Sequence, residues 1–437
     1  MTETPGEKKF MREKIVKPKM SRREAAGRIF CYFLLAVIFG VVAAVSFVVS
    51  RPMAEKYFGT EPPSSSEPIT IEKDDEPGAT TAAMETMEPT APETRPETDP
   101  EEIREIVKEE LEQIPWTPEN IGALNTAISK VGSSADLSIV TVSSVKHQTD
   151  WFDNPIESTG QYAGVILAVN SCEVVILTCG PAVKNADSLQ VTFEEGMTAS
   201  GELKQTDSAA DLAVISVKAQ SLEESTKKRI RAIELGNSYS VRSGDLIVAV
   251  GSPAGRVHSV KHGSVTYVAK GVQTVDGQTR VICTDVLCNE EKGSFFLNLS
   301  GQLIGWATTI FDSEGMENET IIMPISEYKG NLQKLSNGVS IPYMGIKGQE
   351  TSKSMQEEGV PAGVYITESI VDGPAYLAGI QNGDILVKIQ GQDIDSIHSF
   401  QGCLENMESG SEVSVVIERR GIDAYKEIEY RVIIGAR

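Results

Sequence analysis

Residues 29–50 read IFCYFLLAVIFGVVAAVSFVVS, twenty-two residues without a charged side chain, and no other feature narrows the possible architecture so far. An apolar helix of about 20 residues spans the hydrocarbon layer of a bilayer. The 28 residues before it hold nine Lys/Arg and four Asp/Glu, so the positive-inside rule keeps the N-terminus cytoplasmic and sends everything after Arg51 across. The alternative is a cleaved leader with a small-residue site at Ala44-Val45-Ser46, for which the apolar run is long. We read residues 1–28 as a basic cytoplasmic leader and 29–50 as a single-pass transmembrane helix in the cell membrane, with the C-terminal domains extracytoplasmic.

At 437 residues the chain is long enough for two or three folded units plus connectors. Its net charge of -22 is unevenly placed: residues 51–115 carry eighteen Asp/Glu against six Lys/Arg, about half of the excess. No basic stripe is present of the kind that displaces counterions from phosphates, so nucleic acid is set aside as a partner. Residues 51–99 are rich in Pro, Thr, Ser and Glu and poor in large apolar side chains, the composition of a disordered acidic linker. In 100–115 the residues Ile103, Ile106, Val107, Leu111 and Ile114 recur at helical spacing, predicting a short amphipathic helix. It serves either as a self-association seam or as a stalk packed on the next domain.

From residue 120 to 335 short β-branched runs alternate with Gly, Asn, Asp and Ser, as in SIVTVSSV, AGVILAV, EVVILT, DLAVISV and DLIVAVGS. Strands at this density predict a mainly β barrel or sandwich. After Asn337 the pattern changes to strands with helices predicted at Pro374–Ala378 and 399–407, a separate module over 340–437. Cysteines fall at 31, 172, 179, 283, 288 and 403 without metal-ligand spacing, so no metal or cofactor is expected. Cys283 and Cys288 could pair with Cys172 or Cys179, or all four could be small buried thiols.

The run AIELGNSYSVRSGDLIVAVGSPAG at 232–255 resembles the segment that joins the two barrels of HtrA/Deg-type trypsin-like serine proteases. DLAVISV at 211–217 is similar to that family's aspartate strand, EVVILTCGPAV at 173–183 to its histidine strand, and TDVLCNEEKGSFFLNLSGQLIG at 284–305 to its nucleophile stretch. The resemblance implies a trypsin-like double β-barrel over 120–335 followed by a PDZ domain over 340–437, and assembly as a homo-oligomer, commonly a trimer.

Serine-protease chemistry needs a hydroxyl nucleophile, an imidazole base, an orienting carboxylate and backbone N–H groups for the oxyanion. Where the family strand ILTNxHVV has histidine, this chain has Pro181, which can neither take nor give a proton. Asp211 stands at the carboxylate position as a relic. Where the family has GNSGGPL, anchoring on Thr284-Asp285 puts Gly293 at the serine, anchoring on Gly301 and Gly305 puts Lys292 there, and only a local shift brings in Ser294. Phe295 and Phe296 follow in place of glycines. The histidines that could substitute are His147, His258, His262 and His398; His258 and His262 lie in RVHSVKHGSV just after the SPAG turn, where the resemblance implies a second-barrel hairpin, and are read as solvated hairpin histidines. A Ser294–Lys292 dyad is a base–nucleophile arrangement in principle, and Cys179 is a thiol nucleophile candidate for which no motif positions a base.

Tyr343-Met344-Gly345-Ile346 resembles the carboxylate-binding loop of HtrA-type PDZ domains, and the helix at 399–407 occupies the place of their groove helix. The resemblance implies peptide recognition by strand addition, with the loop's N–H groups on a terminal carboxylate and Phe400 and Leu404 lining a pocket. The reading is a membrane-anchored HtrA-like pseudoprotease that binds peptides or misfolded envelope proteins in protein quality control. The rivals are an active endopeptidase using Ser294, and a transmembrane signalling scaffold.

Overall fold

The computed structural model describes residues 68–75, 118–149, 155–311, 318–422 and 424–437. The readings of 1–28, 29–50 and 100–115, and of most of 51–99, lie outside the described residues. Among the described residues no helix is long and apolar enough to cross a membrane.

The strand-rich stretch expected from residue 120 opens instead with a helix, α1 (Pro118–Ala135). Proline is tolerated in a first helical turn, and Leu124, Ile128, Val131 and Ala135 recur at helical spacing. Ile128 and Ala135 are buried while Leu124 stays exposed, so the apolar stripe is narrow and easily lost among the β-branched runs that follow.

Six strands then close a first barrel: β1 (Ile139–Thr149), β2 (Pro155–Val169), β3 (Glu173–Cys179), β4 (Ser188–Thr192), β5 (Thr198–Asp207) and β6 (Leu212–Lys218), in the order β1-β2-β3-β6-β5-β4. A short helix, α2 (Glu224–Arg229), precedes a second barrel of β7 (Leu246–Gly251), β8 (Lys261–Thr274), β9 (Gly277–Thr284), β10 (Ser294–Leu297), β11 (Leu303–Ala307) and β12 (Thr320–Pro324). Its order, β10-β11-β12-β9-β8-β7, repeats the first barrel's ring.

The near-continuous apolar runs follow from two cores lying on opposite faces of the same strands. In β3, Val174 and Ile176 fill the first barrel, while Val175 and Leu177 join a core shared between barrels. In β10, Phe296 fills the second barrel and Phe295 and Leu297 face the shared core. Side chains alternate across a strand, so burial on both faces requires apolar residues at every position.

α3 (Lys329–Ser336) leads from the second barrel to a PDZ-like module. Its sheet is ordered β14 (Ile346–Glu350), β15 (Val364–Ser369), β16 (Ile385–Ile389), β18 (Glu412–Arg420) and β19 (Tyr425–Ile433), with β17 (Gln392–Asp393) on β16. β13 (Pro342–Tyr343) pairs separately with β20 (Gly435–Ala436). Between strands lie α4 (Lys353–Glu357), α5 (Pro374–Ala378) and α6 (Ile397–Glu405). α6 begins two residues before the predicted 399, because the Ser396 hydroxyl and the Ser399 side chain form a capping box.

Within the stretch read as a disordered linker, residues 68–75 run over α3. Ile69 N–H donates to Asn337 Oδ1 at 2.9 Å and Ile71 N–H to Gln333 Oε1 at 2.8 Å, while Asn337 Nδ2 donates back to the Ile69 carbonyl. Asp74 accepts from Lys329 Nζ at 2.8 Å and from Ser326 Oγ at 2.5 Å. Composition missed this strap because its stabilisation is supplied by partners more than 250 residues away.

Candidate functional site

The motif residues meet where the two barrels touch, Cys179 of the first reaching the Glu291 carbonyl of the second. β3 ends at Cys179 and the chain turns through a single 3-10 turn, Gly180–Ala182, which holds Pro181. Gly180 N–H donates to the Asp211 carbonyl at 2.7 Å. A Cβ on Gly180 would lie 2.4 Å from Asp211 Oδ1, so the carboxylate is pressed against the turn in which Pro181 sits. Asp211 itself has φ of 51°, a left-handed conformation that Asp tolerates better than most residues. Burial is the first cause of a raised Asp211 pKa; Lys184 opposes it and Glu291 adds to it. The carboxylate thus faces a lysine and a second acid.

The nucleophile stretch forms the opposite wall. Glu290–Lys292 is a 3-10 turn that ends at Gly293 with φ of 82°. A Cβ there would meet the Ala163 carbonyl at 2.6 Å, so the glycine is required by both backbone angle and close approach. Ser294 opens β10, opposite Gly251 of β7, and is 1% exposed. Its Oγ donates to the Asn289 carbonyl at 2.9 Å. Of the alternatives at the serine position, Lys292 sends its ammonium over the Tyr162 ring, 4.4 Å from the centroid.

Cys179 is buried beside Asp211, and its Sγ donates to the Glu291 carbonyl at 3.3 Å. Burial first, with the Asp211 charge adding, pushes the thiol up to about 12. Burial also pushes Cys288 up, to about 11. A thiol becomes a nucleophile as the thiolate, and these surroundings favour the protonated form. His258 is held elsewhere, by Asp136 at 2.7 Å through Nδ1, which raises its pKa despite partial burial. His262 lies on β8 and His398 on α6. Among the described residues no group of His, Cys, Asp and Glu is arranged to hold a metal.

In the PDZ-like module, the N–H groups of Met344, Gly345 and Ile346 converge on a single carboxylate, that of Asp276 in the β8–β9 hairpin. Tyr343, on β13, packs beside this loop, its ring atoms 3.0 Å from where a Gly345 Cβ would stand. Phe400 and Leu404 are buried in the module's core together with Met344 and Ile346; the sequence reading had them lining an apolar pocket for a peptide's last side chain. Asp276 was not singled out from sequence. Its Asp-Gly pair between strand-like runs is a strong hairpin signal, but its partners are about 70 residues away.

A closed double barrel of the trypsin-like peptidase kind, followed by a PDZ domain, is the class this geometry defines. The trypsin-like peptidase domain model matches residues 162–305 and the PDZ domain model residues 365–419. Serine protease Do-like HtrA of Lactobacillus helveticus is 26% identical over 292 residues, covering 63% of this chain and 69% of that protein. A probable periplasmic serine endoprotease DegP-like of Pseudomonas savastanoi pv. phaseolicola is 30% identical over 270 residues, 60% of this chain but only 53% of the relative. A solved HtrA-type protease, AlgW with a decapeptide, superposes with a TM-score of 0.51 at 21% identity over 71% of this chain and 98% of its own. The chain thus carries a trypsin-like peptidase domain and a PDZ domain, and over both it is similar to HtrA- and DegP-like serine proteases.

Proposed function

We propose that this protein is anchored by residues 29–50 and works outside the cytoplasm as a non-cleaving HtrA-like protein. In this reading its PDZ domain captures peptide ends or misfolded envelope proteins in quality control. The observation that carries the reading is the state of the cleft: Pro181 occupies the turn against which Asp211 is pressed, and the Ser294 hydroxyl is buried on a backbone carbonyl. Acyl transfer needs a base beside the nucleophile, and neither Pro181 nor the Asn289 carbonyl and Cys288 thiol beside Ser294 supplies one. Support for recognition comes from the intact backbone donors at Met344, Gly345 and Ile346. Assembly as a homo-oligomer belongs to the same proposal and rests on the family resemblance.

The test is fluorophosphonate labelling of the detergent-solubilised chain alongside digestion of unfolded casein, for wild type and Ser294→Ala. The expected result is no labelling and no cleavage in either. Labelling and cleavage that vanish in Ser294→Ala would overturn the proposal and establish an endopeptidase, the activity for which the relatives are named.

A further inference from the structure

The PDZ loop is built to hold a carboxylate, and it already holds one from its own chain. Asp276 sits at the tip of the hairpin formed by β8 and β9, where Thr274 pairs with Gly277 and only Val275 and Asp276 lie between. Its Oδ1 accepts from Gly345 N–H at 2.8 Å and Ile346 N–H at 3.0 Å, and its Oδ2 from Met344 N–H at 2.8 Å. The contact continues as a strand would: Asp276 N–H donates to the Ile346 carbonyl at 2.7 Å. Ile346 opens β14, the edge strand of the PDZ sheet.

The hairpin also touches the sheet behind the edge strand and the groove helix. Gln273 Nε2 donates to Thr367 Oγ1 at 2.8 Å on β15, and Gln401 Nε2 of α6 donates to the Gln278 carbonyl at 3.1 Å. Gly277 is packed so closely on Gln401 that a Cβ there would meet its amide nitrogen at 2.2 Å. Arg437 anchors the tip further, donating to the Val275 carbonyl at 3.4 Å. Asp276 is 7% exposed. A carboxylate placed on three converging backbone N–H groups, continued by a main-chain hydrogen bond to the edge strand, reproduces the chemistry by which a chain terminus is captured.

We infer that the β8–β9 hairpin is an internal ligand of the PDZ domain, with Asp276 standing in for a peptide's terminal carboxylate and closing the groove until a peptide bearing a free C-terminus displaces it. This rests on the peptide-recognition reading proposed above. The closed state lowers the apparent affinity for such peptides by the fraction of molecules in which the hairpin is undocked. Peptides amidated at the C-terminus cannot compete, because they lack the anion that the loop selects.

The experiment uses the full chain in detergent and two readouts. Amide hydrogen exchange is followed over residues 343–347 and 272–279 in wild type, Asp276→Ala and Asp276→Asn. Binding is followed with a fluorescein-labelled heptapeptide pool carrying apolar last residues, as free acid and as amide. Exchange at 343–347 is expected to rise at least about tenfold in Asp276→Ala, with Asp276→Asn intermediate and β18 unchanged. The free-acid pool is expected to bind the variants at least about tenfold more tightly than wild type, and the amide pool to bind neither.

Equal exchange in wild type and Asp276→Ala overturns the inference, as does equal affinity for the free-acid pool. If exchange over β18 also rises in Asp276→Ala, that variant has unfolded and Asp276→Asn decides. Increased exchange at 343–347 with no peptide bound by any form would leave Asp276 as the occupant of the loop and remove peptide recognition instead.

Discussion

The meeting point of the two barrels and the PDZ loop are the two places where the sequence motifs gather polar groups, and the groups differ in kind. In the cleft the working groups are side chains: Ser294 Oγ is tied to the Asn289 carbonyl, Cys179 Sγ to the Glu291 carbonyl, and Asp211 faces Lys184 and Glu291. In the loop the working groups are backbone N–H donors, and three of them meet one carboxylate. A site made of side chains is lost with a few substitutions, whereas one made of backbone persists as long as the fold and one permissive residue, Gly345 with φ of 80°, persist. Under the proposed reading, recognition has outlived catalysis for that reason.

The comparison is broken most directly through Cys179. With the thiol pushed up to about 12 from an ordinary 9.0, its thiolate fraction at pH 8 is roughly a thousandfold below that of an unperturbed cysteine. Iodoacetamide labelling of the native chain, read by peptide mass spectrometry, is expected to leave Cys179 unmodified long after the same residue in urea-unfolded chain is complete. Rapid alkylation of native Cys179 would mean that the cleft keeps an activated thiol, and that its chemistry is altered rather than lost.

A second measurement sharpens the recognition side, whose framework depends on the strap over α3. Lys329 is 6% exposed at its side chain and is paired with Asp74 at 2.8 Å, and Lys73 of the same strap reaches Glu405 of α6 at 2.7 Å. Asp74→Ala leaves the Lys329 charge buried and alone, which is expected to destabilise the folded unit by about 3 kcal/mol in urea denaturation. Asp74→Leu combined with Lys329→Met is expected to recover most of that loss, because it removes both charges. A loss below about 0.5 kcal/mol for Asp74→Ala would remove the strap from the framework of the PDZ junction.

What was legible from sequence follows the same division. Strand runs such as EVVILT and DLAVISV predicted a mainly β barrel or sandwich, because burial on both faces calls for near-continuous apolar runs, while the order of two barrels and a PDZ domain came from the resemblance of the motifs. Pro181, read at the position where the resemblance implies a histidine, lies on the turn after β3. The chain's own contacts to distant segments were not: α1 was hidden by a narrow apolar stripe, the strap by its polar composition, and Asp276 by a local sequence that signals only a hairpin. For Phe400 and Leu404 the pocket role came from the PDZ resemblance, and their spacing of one helical turn gives a common face but not what covers it.

The smallest effect bears on the cleft alone. Burial first, and Glu291 next among the raising influences, hold the Asp211 pKa above its ordinary 3.8, with Lys184 acting the other way. A carboxyl group with a raised folded-state pKa binds its proton more tightly in the folded chain than in the unfolded one. Its ionisation therefore lowers stability as pH rises from the unfolded value through the folded one, and the penalty is complete at neutral pH. Asp211→Asn removes that penalty and keeps a residue suited to φ of 51°. The variant is expected to melt about 1–2 °C higher than wild type at pH 7, with the difference vanishing below the unfolded value of 3.8. In a working triad the same carboxylate stabilises an imidazolium, so its loss would be severe for catalysis. A variant less stable than wild type at pH 7 would mean that Asp211 has a cationic partner strong enough to outweigh its burial, and the cleft would then retain the electrostatics of an active site.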